Sequence, residues 1–176
     1  MEQKNHWLDR WPDSVAIAKG DWIIRYHSNA IEYASECDDY EKSLYIFPDG
    51  RVYAETRDQG EAKVSIGDGR IESQRAKSLA ERLLDAMRDV SLEETFVEDD
   101  STTYDVIVNY KGQIKRVGWR ELSDSIQKPE TMPPTQLRDL ATELYQIHSG
   151  IPHEKVDFTK KINELWEHNP GQKGEK

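Results

Sequence analysis

The chain has 176 residues, 36% of them hydrophobic and 33% charged, and a formal net charge of −10. That length can carry one domain with its own hydrophobic core, and the acidic balance argues against nucleic acid or an anionic membrane surface as a partner. A lone cysteine, Cys37, excludes an intrachain disulfide, and no stretch approaches the roughly 18 apolar residues of a membrane span.

The opening stretch MEQKNHWLDRWPDS is polar and broken by Pro12, without the basic-then-apolar layout of an export signal, which points to a cytosolic protein. Residues 1–14 read as an accessory turn or short helix, with Trp7, Leu8 and Trp11 packing back on the body. SVAIAKGDWIIRYHS reads as a hairpin around Lys19-Gly20-Asp21, with WIIRYH the better strand. Residues 29–42 read as a polar loop, with a short helix over AIEYASE as the alternative.

SLYIFPDGRVYAETRD, residues 43–58, is the clearest hairpin. Alternation puts Leu44, Ile46, Val52 and Ala54 on one side, and Tyr45, Phe47 and Tyr53 on the other. A three-residue loop, Pro48-Asp49-Gly50, pairs Ile46 with Val52 and Leu44 with Ala54, which keeps the faces consistent. AKVSIGDGRIES reads as a strand, a turn at Gly67-Asp68-Gly69 and a short return.

A helix follows from Ser73, its cap, to about Arg88, with Ala76, Leu79, Ala80, Leu83 and Met87 at helical spacing. YDVIVNYKGQIKRVGWRE makes a second hairpin turning at Lys111-Gly112, with Tyr104, Val106, Val108 and Tyr110 on one face. Pro133-Pro134 introduces a helix striped by Leu137, Leu140, Ala141, Leu144 and Ile147 and closed by Gly150. DFTKKINELWEH reads as a terminal amphipathic helix with Phe158, Ile162, Leu165 and Trp166 on one side.

This order predicts an α+β fold: an antiparallel meander sheet with helices packed on one face, plus the C-terminal amphipathic helix. Residues 1–168 form a single domain in this reading, and 169–176 a flexible tail.

The chemistry-bearing residues are few. Cys37 sits in SECDDYE, where neighbouring carboxylates disfavour a thiolate, so it is not a nucleophile. Among the five histidines (His6, His27, His148, His153 and His168) only His148 and His153 are close, and Gly150 and Pro152 separate them; no metal site is expected. VEDDSTTYD and GDGRIE lack a calcium-loop layout, and no phosphate-binding Gly-rich loop or nucleophile elbow is present. The basic residues Lys111, Lys115, Arg116 and Arg120 gather on the second hairpin among acidic neighbours, which suggests a paired surface. No cofactor is implied.

Two stretches without Lys or Arg, Tyr26 to Glu41 and Asp89 to Tyr110, concentrate acid; Asp38, Asp39, Glu98, Asp99 and Asp100 mark the acidic surface. The other candidate surface is aromatic: Tyr45, Phe47 and Tyr53, with Trp22 or Tyr26 from a neighbouring strand. It is either buried under the terminal segments or open as a protein-binding face.

The pattern YIFPDGRVY, then a helix, then YDVIVNYKGQIKRV and PPTQLRDL, resembles small bacterial domains of unassigned function built as sheet–helix–hairpin–helix. The resemblance spans residues 43–148, rests on structural positions and transfers no active site. The element order is also similar to acidic type III secretion chaperones, and the composition to toxin immunity proteins. The expectation is therefore a non-enzymatic, acidic protein-interaction domain (inhibitor, immunity protein or chaperone-like binder) whose partner is a basic protein. The alternative is a small-ligand binder or enzyme with a pocket between sheet and helices, lined by tyrosines and carboxylates. A concave site with convergent polar groups would favour the alternative.

Overall fold

The computed structural model describes residues 20–32, 38–58, 63–92, 102–121 and 132–157. In chain order these form β1 (Ile24–Glu32), β2 (Asp38–Ile46), β3 (Arg51–Asp58), β4 (Lys63–Arg70), α1 (Ser73–Met87), β5 (Thr102–Tyr110), β6 (Gln113–Glu121), α2 (Thr135–Gly150) and β7 (Glu154–Asp157). The strands make one antiparallel sheet in the order β6-β5-β1-β2-β3-β4-β7. The chain is a mixed sheet-and-helix protein of the α+β kind. The meander runs from β1 to β4, and the β5–β6 hairpin returns beside β1.

The β2–β3 hairpin has the three-residue register. Ile46 faces Val52, Leu44 faces Ala54 and Tyr45 faces Tyr53. Gly50 takes φ +88°, a left-handed conformation that glycine adopts without strain. The Phe47 amide donates to the Arg51 carbonyl at 2.9 Å, and Asp49 Oδ1 accepts from the Arg51 amide at 3.0 Å. At the β5–β6 turn Lys111 and Gly112 take φ 50° and 73°, the paired left-handed conformation of a two-residue hairpin.

Three local expectations need correction, and one strand was not foreseen. The supposed loop at 29–42 is strand at both ends, because Glu32 pairs with Asp38 and Ala30 with Thr102. The backbone ladder holds these polar residues extended on both sides of β1. No turn interrupts β4 at Gly67-Asp68-Gly69; Gly67 faces Ala54 and Gly69 faces Val52. The glycines serve close approach instead, since a Cβ on Gly67 would meet the Pro152 carbonyl oxygen at 2.5 Å and Ile151 Cγ2 at 2.7 Å. Ser73 is the first helical residue rather than the cap, and its hydroxyl donates to the Pro48 carbonyl at 2.8 Å, tying α1 to the β2–β3 turn. Finally, β7 is a strand that no periodicity announced: it borrows the ladder of β4, pairing Val64 with Val156.

Both helices pack on one sheet face. Ala76, Leu79, Ala80 and Leu83 of α1, with Leu137, Leu140 and Leu144 of α2, are buried against Ile24, Leu44, Ile46, Val52, Val106 and Val117. Each such leucine, isoleucine or valine contributes about 1.5–3 kcal/mol on burial. Among the described residues no helix is long and apolar enough to cross a membrane. The terminal segments 1–14 and 158–168, with their tryptophans, lie outside the described residues.

Candidate functional site

Strand parity builds the floor of a cavity. Tyr104 of β5 faces Trp119 of β6 and Ser28 of β1, so Tyr26, two residues before Ser28, shares their face. The Tyr104 and Trp119 rings stack at 5.1 Å and 19°, and Tyr26 lies tilted 6.5 Å from Tyr104. Glu121, two residues beyond Trp119, extends the same face, and Tyr104 Oη donates to its carboxylate at 3.3 Å.

Opposite them runs one flank of α2. Thr135, Arg138, Thr142 and Tyr145 recur at spacings of three, four and three, beside the apolar stripe that anchors the helix. Together with Asp139 and the floor residues they enclose a half-open space of about 450 Å³. That lies within the range of roughly 300–1,000 Å³ typical of small-molecule pockets.

Three features set its chemistry. Trp119 is 2% exposed, and its Nε1–H is buried with no hydrogen-bond acceptor among the described residues. An unmet buried donor costs about 1–3 kcal/mol, and such a group calls for an explanation. Burial, followed by neighbouring acidic groups, pushes the Tyr26 phenol up to about 12 and raises that of Tyr104 further, so both are neutral hydrogen-bonding groups at ordinary pH. Third, the charged groups stay apart: Glu121, Arg138 and Asp139 have no ion-pair partner among the described residues. Arg138 Nη2 donates to Thr135 Oγ1 at 3.3 Å. At the far end Lys42 Nζ donates to Tyr145 Oη at 3.1 Å and pulls that phenol below its usual value.

The other sheet face holds the expected aromatic residues. Tyr45, Phe47 and Tyr53 form a cluster, and they are 7%, 5% and 3% exposed. Trp22 joins them edge-on to Tyr45 at 6.2 Å, whereas Tyr26 belongs to the helix-covered face. Polar groups flank the cluster: Arg57 pairs with Glu55 at 3.0 Å, and His27 Nδ1 lies 3.1 Å from Ser43 Oγ. Burial holds the His27 imidazole below its usual value, with Glu41 opposing. Of the acidic candidates, Asp38 and Asp39 open β2 opposite Glu32 and Ile31, while Glu98, Asp99 and Asp100 lie outside the described residues, as does Cys37.

The structure brings His148 and His153 together after all, with ring centroids 4.9 Å apart. The break after α2 folds the chain back rather than separating the rings. His148 Nε2–H donates to the Glu55 carbonyl at 3.0 Å. No cluster of three or more His, Cys, Asp or Glu side chains suited to a metal ion exists among the described residues. The basic residues of the second hairpin include two in ion pairs, Lys111 with Glu81 at 2.7 Å and Arg116 with Asp105 at 2.8 Å.

Sequence reasoning placed Tyr104 on one face with Val106, Val108 and Tyr110 but named neither Trp119, Glu121, Arg138 nor Tyr145 as site residues. The available signal was Tyr145, an aromatic on the polar flank of an amphipathic helix, and the alternation that puts Trp119 in line with Val117. No protein-family model matches the sequence, and no curated protein matches it either.

Proposed function

We propose that this protein binds a small organic molecule in the cavity between the sheet and α2. The observation that carries the reading is the aromatic-walled space of about 450 Å³, lined by Tyr26, Tyr104 and Trp119 on the sheet and bordered by Glu121 and Arg138. The neutral Tyr26 and Tyr104 phenols suit hydrogen bonding to a bound molecule.

A fragment screen by thermal shift tests this, run on the wild type and on Thr142→Trp, which fills the cavity from the exposed flank of α2. Fragments that stabilise the wild type and lose their effect in the variant support the reading. Equal shifts in both proteins place binding elsewhere and overturn it.

A second reading, the acidic domain that docks on a basic protein, draws on the net charge of −10 and on Ile114, 75% exposed beside the tip of the β5–β6 hairpin. It draws nothing from Tyr45, Phe47 and Tyr53, whose buried rings offer no contact area. Weakened binding of a captured partner by Ile114→Asp would support it; unchanged binding would remove the hairpin from consideration.

A further inference from the structure

The unclosed charges in the cavity deepen the ligand reading, on which the following rests. Glu121 and Arg138 border one space from opposite walls, the first at the end of β6, the second in the first turns of α2. Neither has an ion-pair partner among the described residues. Opposite charges facing one cavity without closing on each other leave room for a molecule that carries both complements.

We infer that the cavity takes a small zwitterion, an organic ammonium bearing a carboxylate. The ammonium belongs at Glu121. There the carboxylate is supported by the Tyr104 hydroxyl. The ligand carboxylate belongs at Arg138, whose planar guanidinium can hold two oxygens at once while one nitrogen keeps its contact to Thr135.

Charge balance excludes the simpler classes. With Asp139, the lining holds two carboxylates against one guanidinium, so a plain anion meets net repulsion. A plain cation leaves Arg138 unmatched, whereas a zwitterion meets both Glu121 and Arg138.

The test uses the full chain, titrated with ω-amino carboxylates from glycine to aminohexanoate and with the standard α-amino acids. Alkylamines and carboxylates of matching length serve as the separated halves. The Trp119 indole cross-peak, assigned with Trp119→Phe, reports binding at the cavity. One zwitterion should bind about ten-fold tighter than either half, the worth of one good charge-assisted contact. Glu121→Gln should remove its advantage over the plain carboxylate, and Arg138→Gln its advantage over the amine. Halves that bind as well as the whole overturn the zwitterion. So does a neutral fragment that moves the indole signal when no zwitterion does, although the ligand reading then stands. If no probe or fragment of any class moves it, both the zwitterion and the ligand reading fall.

Discussion

Tyr53 shows how a single side chain decides between a surface and a core. It is 3% exposed, faces Tyr45 across the β2–β3 ladder, and its hydroxyl donates to Glu55 Oε2 at 3.3 Å. Truncating a buried aromatic removes packing and leaves a cavity, so Tyr53→Ala should cost about 3 kcal/mol or more by urea denaturation. An unfolding midpoint equal to wild type would mean that the ring is free to contact a partner. Gly67 makes a sharper case, because one methyl group is the whole perturbation. Its Cβ would press on the Pro152 backbone, and overpacking of this kind costs about 1–3 kcal/mol. Gly112→Ala meets nothing within 4 Å and carries only the penalty of its left-handed φ, about 1 kcal/mol. Denaturation of the two variants should rank Gly67→Ala as the more damaging; the reverse ranking would show that residues 151–152 yield easily.

At the scale of elements, α2 and β7 depend on a buried histidine. His148 is closed against β3 by its bond to the Glu55 carbonyl, and burial, then His153 and Lys42, holds its imidazole below the usual value. Above the unfolded value of about 6.5 the ring is neutral in both states, and its contribution to stability is complete. As pH falls below that value, the unfolded chain binds the proton first, and stability is lost until the depressed folded value is passed. His27 acts in the same direction. The urea midpoint should therefore be lower at pH 5 than at pH 8. In His148→Gln, which keeps a donor for Glu55, the difference should shrink. An unchanged pH dependence in that variant would remove His148 from the account.

The elements that could be read in advance were those whose side chains alternate or recur. The β2–β3 register followed from keeping Leu44, Ile46, Val52 and Ala54 on one face, and the helix stripes followed from their spacing. The elements that escaped were set by partners remote in sequence. Residues 38–42 are strand because β1 and β3 flank them, β7 exists because β4 offers an edge, and Gly67 looks like a turn until Ile151 and Pro152 are placed against it. Local pattern carries no information about such neighbours.

For the molecule as a whole, the crossing of α2 over the sheet matters most. It brings a helix flank against β1, β5 and β6, and so places Arg138 and Tyr145 beside Tyr26, Trp119 and Glu121. Sequence could suggest a pocket lined by tyrosines and carboxylates, but not which ones, because the crossing angle of a helix is not written in its stripe. The most direct measurement is the indole N–H spectrum of 15N-labelled protein during a fragment and amino-acid titration, with Trp119 assigned by Trp119→Phe. The account predicts that a bound ligand shifts the Trp119 signal because the ring lines the cavity, and that Thr142→Trp abolishes the shift. A Trp119 signal that no ligand moves, or one that moves equally in the filled variant, would contradict it.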